Sequence, residues 1–242
     1  MAVRCIVMDI EGTITPIAFV RQVLFPYAKS RLASFLRANR EDYTVKKSVA
    51  SCLATAAQEN GRHADEQTLP TILSKWIDED RKHPGLKVLQ GLIWDEGYRT
   101  GAFAPQLYED VLPALLQWQA QGICLALYSS GSEHAQRLLM THTTDGDLTR
   151  LFVEFFDTRV GPKTDPASYA KIAGKLGLPP AAILFLSDSE TELDAAAAAA
   201  LKTLQIVRPG TTVSARHPAR TSFAGLDPTA ALDGSPYTPQ TK

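Results

Sequence analysis

Arg4-Cys5-Ile6-Val7-Met8-Asp9-Ile10-Glu11-Gly12-Thr13 is the stretch on which the fold turns. A short, unbroken apolar run ends in two acids and a glycine. A strand with one wet face would alternate polar and apolar residues, whereas a continuous run suits a strand covered on both faces of a parallel sheet. Gly12 permits a sharp turn that other residues resist. Four more runs of this kind follow, over 123–129, 152–156, 183–187 and 203–207. Helical patterns separate most of them. Val111, Leu112, Leu115, Leu116 and Trp118 fall at helical spacing ahead of the second run. Ser132 is placed to cap the next helix, and Asp165-Pro166 opens the one through Tyr169, Ile172 and Leu176. Strand and helix alternate, which predicts an α/β fold with a doubly wound parallel sheet.

One interval breaks the alternation. More than 100 residues separate Asp9 from Ile123, far beyond an ordinary strand-helix-strand unit. Helices are predicted within it over 19–36, 43–59, 69–80 and 86–98, so the interval reads as a helical insertion after the first strand. The expected division is a core of residues 1–15 and 103–209 and a helical cap of 16–102. Residues 210–242, rich in Pro, Gly, Thr, Ser and Arg, read as a weakly ordered tail.

Composition narrows the function. The 242 residues carry 25 Lys and Arg against 26 Asp and Glu, a net charge of -1. The basic excess of a general nucleic-acid or anionic-membrane binder is missing. No apolar run approaches the roughly 18 residues of a membrane span, and the start lacks the pattern of a signal peptide. Cys5, Cys52 and Cys124 lie far apart in sequence, which predicts no disulfide framework and no paired-cysteine metal site. These features point to a cytoplasmic globular protein.

The chemistry gathers at the strand ends. Asp9 and Glu11 sit two residues apart, so they share a face if strand geometry persists. Asp9 suits a nucleophile and metal ligand, and Glu11 a proton donor and acceptor. An isolated pair of this kind is more often a solvated strand end. Ser129-Ser130-Gly131-Ser132 lies between a strand and a helix start, a seat for phosphate or simply a capped turn. Lys163 precedes a helix, and Asp188 directly follows the fourth apolar run. Taken in order, acid pair, hydroxyl, lysine and acid supply what phosphoryl transfer requires: an oxygen nucleophile, carboxylates for a hard cation, and donors for phosphate oxygens. All of them fall where open α/β sheets bind ligands.

This order resembles the haloacid-dehalogenase superfamily of phosphotransferases. Four segments resemble more closely the enolase-phosphatases of methionine salvage: Asp9 to Thr13, Leu89-Gln90-Gly91-Leu92-Ile93-Trp94, Leu127 to Ser132, and Val207-Arg208-Pro209-Gly210. The likeness spans about residues 3–210. It implies a monomeric, cytoplasmic enzyme with one Mg²⁺ per subunit, whose partner is a small phosphate ester rather than nucleic acid or membrane. The implied substrate is 5-(methylthio)-2,3-dioxopentyl phosphate, enolised and then dephosphorylated to an acireductone. On the same likeness the insertion is a cap over the active-site edge. Asp9 would be the nucleophile, and Asp9, Glu11 and Asp188 would hold Mg²⁺, Glu11 through its backbone carbonyl. Glu11 would protonate the leaving oxygen, and Ser129, Ser130 and Lys163 would bind phosphate.

The superfamily has a second acid close after the position of Asp188. Here Ser189 follows, with Glu190, Glu192 and Asp194 beyond, and the sequence does not choose among them. Nor does it name the enolising base. Trp94, Tyr98 and Arg99 are candidates to meet substrate, against the plainer reading of core aromatics and a helix-surface arginine. Two alternatives stay open: a general small-molecule phosphatase of the same superfamily, and a phosphate-binding relative without turnover.

Overall fold

The computed structural model describes residues 1–60 and 65–228. It divides into two compact units, Met1–Ile17 with the chain from Pro105 onward, and Ala18–Ala104. The first unit is built on six parallel strands: β1 (Cys5–Met8), β2 (Cys124–Tyr128), β3 (Glu154–Phe156), β4 (Ile183–Ser187), β5 (Lys202–Ile206) and β6 (Ala219–Arg220). They lie in the order β3-β2-β1-β4-β5-β6. The chain winds outward in both directions from β1, so the topological switch point falls at its carboxyl end, where Asp9 begins.

Successive residues of the central strands feed opposite cores. Ile6, Met8, Leu125, Leu127, Leu184 and Leu186 pack with Val111, Leu115, Trp118, Leu139 and Met140. Cys5, Val7, Ala126, Tyr128, Ile183 and Phe185 pack with Tyr169, Ile172, Leu193 and Ala196. This is the covered parallel sheet that unbroken apolar runs demand. The helix starts form as their residues dictate. Ser132 accepts from the Ala135 N–H at 3.2 Å, and Asp165 accepts from Ala167 N–H at 2.9 Å ahead of Pro166.

Two expectations are corrected. Residues 210–228 are not a weakly ordered tail. Ala219–Arg220 adds a sixth strand, Phe223 and Leu226 join the core around Trp118, and the Trp118 indole donates to the Leu226 carbonyl at 3.0 Å. A few buried apolar side chains anchor a polar segment, which composition averages away. The rest of that tail, 229–242, lies outside the described residues. Nor are the cysteines all unpaired. Parallel pairing sets Cys5 opposite Cys124 with Cα atoms 4.5 Å apart, and the two form a disulfide across 119 residues of sequence. Their distance along the chain says nothing of strand register.

The second unit is helical: Ile17–Phe19, a π turn Val20–Leu24 and Phe25–Ala38 in succession, then Tyr43–Asn60, Leu69–Asp78 and Pro84–Arg99. Among the described residues no helix is long and apolar enough to cross a membrane.

Candidate active site

Strand β1 stops at Met8, but Asp9 still donates its N–H to the Leu186 carbonyl of β4 at 2.9 Å. Its backbone is thereby fixed at the carboxyl edge of the sheet. The chain then folds back. The Ile10 carbonyl accepts from Ile14 and Thr15 N–H groups at 3.0 Å, and Gly12 stands at φ 80°. Strand geometry therefore does not persist to Glu11, which instead bridges to Thr15, so the alternation that would align Glu11 with Asp9 does not apply. Gly12 is required twice over. Its φ is left-handed, and a Cβ there would lie 2.5 Å from Asp188 Oδ2. Thr13, fully buried, accepts the Asp188 N–H on its hydroxyl at 3.0 Å and so ties the loop after β1 to the loop after β4.

Lys163 reaches the same place from the loop after β3. Hydroxyls hold its backbone: Tyr128 donates to the Gly161 carbonyl (2.9 Å), Ser168 to Pro162 (2.8 Å) and Tyr169 to Lys163 itself (2.7 Å). The ammonium then donates to Asp9 Oδ1 and stands 2.6 Å from Glu192 Oε2. Burial works against its charge, but Asp9 and Glu192 outweigh that and hold its pKa above the usual lysine value. Glu192 is the acid the sequence could not select. It comes from the helix Glu190–Ala198, takes a hydrogen bond from Ser187 Oγ at 2.9 Å, and is pushed upward in pKa by burial and by Asp9. Glu190 and Asp194 lie elsewhere, both paired with Arg216 at 2.8 Å.

Asp188 follows β4. Burial first, and then the charge on Asp9, push its pKa up to about 6. The Gln205 side chain donates to its carbonyl at 3.0 Å from inside the core. Three carboxylates, Asp9, Asp188 and Glu192, thus face one ammonium in a largely buried setting, an excess of negative charge that suits a dication. Among the described residues no three His, Cys, Asp or Glu side chains form a ready metal cage. A small, hard cation that binds through one or two carboxylates and keeps its waters fits this donor set, and a soft or fully caged metal does not.

Ser129 ends β2, buried at 4% exposure. Its N–H donates to the Phe156 carbonyl at 3.1 Å, and its hydroxyl accepts from Gly131 N–H at 3.0 Å. An oxygen that accepts from the backbone keeps its own hydrogen available for an anion. Ser130 is half-buried beside it. The structure thus sets Asp9, Lys163 and Asp188 together, with Thr13, Glu192 and Gln205 as supports that the sequence did not single out.

In the helical unit Trp94, Tyr98 and Arg99 each have partners of their own. Trp94 donates to the Leu24 carbonyl at 2.8 Å, Tyr98 packs its ring 4.6 Å from Phe103, and Arg99 pairs with Asp95 at 2.9 Å.

A profile of haloacid dehalogenase-like hydrolases matches residues 3–200. An enolase-phosphatase E1 of Methylococcus capsulatus is 48% identical over 93% of this chain and 98% of its own length. One from Aquifex aeolicus is 44% identical over 93% of this chain and 99% of its own. Among solved structures, the UTR4 protein of Saccharomyces cerevisiae superposes with a TM-score of 0.74 at 30% identity, covering 93% of this chain and all of that one.

Proposed function

The chain belongs to the haloacid dehalogenase-like hydrolases and, within them, to the enolase-phosphatase family, and from that premise we propose how its own residues carry the reaction. The substrate is 5-(methylthio)-2,3-dioxopentyl phosphate. A proton leaves C1 to give the enol, and the phosphate ester is then hydrolysed to an acireductone, a step of methionine salvage. Asp9 Oδ attacks phosphorus while the ester oxygen leaves with a proton from Glu11. The aspartyl phosphate is then opened by a water that Glu11 deprotonates. Lys163 neutralises Asp9 before attack and meets phosphate oxygens after it. The Ser129 hydroxyl donates to phosphate, with Ser130 beside it.

Asp9, Asp188 and the Glu11 carbonyl would hold one Mg²⁺. When bound, the ion offsets charge on the phosphoryl oxygens. This reading sets the reaction in the cytoplasm, on a single chain, with the phosphate ester as its partner. The observation that carries the proposal is Lys163, buried between Asp9 and Glu192 with Asp188 alongside.

Incubation with the diketo phosphate and Mg²⁺ tests it, following phosphate release and enone absorbance together. Both signals should rise in the wild type, and both should vanish with chelator or in Asp9→Asn. Phosphate release without the enone would instead mark a general phosphatase, and normal turnover by Asp9→Asn would remove the covalent step.

A further inference from the structure

We propose that Arg208 is a positioning residue that sets the spacing of the two loops bearing Asp9 and Asp188, and with it the affinity for Mg²⁺. The proposal rests on the reading of those carboxylates given above. Arg208 lies two residues beyond β5, at the same edge of the sheet as Asp9. It belongs to the Val207-Arg208-Pro209-Gly210 segment.

The side chain is 7% exposed. Its Nε donates to the Thr13 carbonyl at 3.1 Å. Its Nη1 donates to Asp110 Oδ2 at 2.9 Å and to the Thr221 carbonyl at 3.4 Å. The guanidinium lies over the Tyr108 ring, 4.1 Å from its centre. Asp110 is fixed in turn by Ser222 Oγ at 2.9 Å and the Phe223 N–H at 2.6 Å. One planar fork thus grips the loop after β1 from a carboxylate anchored in the C-terminal segment.

Thr13 converts that grip into geometry at the site. Its carbonyl takes Arg208, while its hydroxyl takes the N–H of Asp188. The next residue back, Gly12, leaves no room for a Cβ, which would fall 2.5 Å from Asp188 Oδ2. Any movement of the Thr13 peptide therefore changes the separation of Asp188 from Asp9. Lysine cannot replace the fork, because a single ammonium does not reach Thr13 and Asp110 in fixed directions at once. A buried ion pair seldom adds net stability over apolar packing, so fixing geometry is the use that accounts for it.

The test measures Mg²⁺ binding by calorimetry, melting temperature, and the Mg²⁺ concentration for half-maximal aryl phosphate hydrolysis. Arg208→Gln and Arg208→Lys should each weaken Mg²⁺ binding by up to about 10-fold, the low end of the loss when a direct partner of a metal ligand is removed, because Arg208 reaches Asp188 through Thr13. Saturating Mg²⁺ should recover kcat. Ile172→Ala opens a cavity in the core on the other face of the sheet and touches neither Arg208 nor Asp110, so it should lower the melting temperature and leave Mg²⁺ binding at the wild-type value. Thr13→Val should weaken Mg²⁺ binding like the Arg208 variants, and Thr13→Val combined with Arg208→Lys should be no worse than the poorer single change. Arg208 variants that bind Mg²⁺ as tightly as wild type would overturn the proposal, however unstable they are. A wild type that neither binds nor requires Mg²⁺ would overturn the reading of the site instead.

Discussion

Lys163 holds three acids in check, and its removal should be felt in both stability and turnover. Lys163→Met leaves Asp9 and Glu192 buried without their cation. Loss of one partner of a buried pair costs about 3–5 kcal/mol. Urea unfolding should show a drop of that order, and turnover should vanish. Glu192→Gln is milder. It leaves the ammonium to Asp9 alone, which lowers the nucleophilicity of that carboxylate. Loss of one charged hydrogen-bond partner corresponds to about 1–3 kcal/mol, so kcat should fall roughly 10- to 100-fold with KM little changed. A Glu192→Gln enzyme with wild-type kcat would deny it any part in the site. The sequence shows Asp9, Lys163 and Asp188 because each ends an apolar run or precedes a helix. Helical spacing alone separates Glu192 from Glu190 and Asp194 but does not say which face turns to the site, and the structure supplies that. Glu190 and Asp194 are four residues apart and share a helix face, where both meet Arg216. Glu192 lies two residues from each, on the opposite face, and meets Lys163.

At the scale of elements, five strands follow from their apolar runs, because burial on both faces favours apolar side chains, with Ser187 and Gln205 as buried exceptions that carry hydrogen bonds. Strand β6 does not, since it has two residues, one of them Arg220. Its place is set by pairing with β5 rather than by its own composition. The helical unit holds a further legible element. Helix Tyr43–Asn60 packs against the start of Pro84–Arg99 through His83, whose Nε2 lies 3.0 Å from Thr55 Oγ1 and whose Nδ1 lies 3.5 Å from Cys52 Sγ. Burial, then the Arg81 charge, hold the His83 pKa below its usual value, against a weaker pull from Glu59. The sign follows directly. The unfolded chain takes up a proton near pH 6.5 and the folded one only at lower pH, so the stability this imidazole contributes is present above about pH 6.5 and is lost as pH falls. The protection of the Tyr43–Asn60 amides, once the intrinsic slowing of exchange at lower pH is divided out, should fall from pH 7.5 to 5.5. His83→Gln should flatten that dependence, and an unchanged pH profile in the variant would exclude the imidazole as its source.

At the scale of the whole molecule, the C-terminal segment is part of the folded core. Phe223 is 1% exposed and sits 5.3 Å from the Trp118 ring. Phe223→Ala should cost about 3–5 kcal/mol in urea unfolding. A chain ending at Gly210 should be destabilised further, because it also loses β6 and the partners of Asp110. Asp110 adds an acid limit. Burial alone would raise its pKa, but Arg208, the Phe223 N–H and Ser222 outweigh it and hold the carboxyl below its usual value. Its contribution is full above the unfolded value near pH 4 and is lost as pH drops through the lower folded value, so Asp110→Asn should blunt acid unfolding below about pH 4. The opposition of Cys5 and Cys124 on β1 and β2 also governs how the chain is made. The central strand emerges from the ribosome first, yet its neighbour follows 119 residues later. At about 5–20 residues per second that is a wait of roughly 6–24 s. Residues 18–104 are complete within it, so the helical unit can fold during synthesis while Cys-Ile-Val-Met stands unpaired beside it. A nascent chain halted near residue 140, with its last few tens of residues still in the exit tunnel and 18–104 clear of it, should therefore hold protease-resistant helices and an N-terminal strand open to a chaperone.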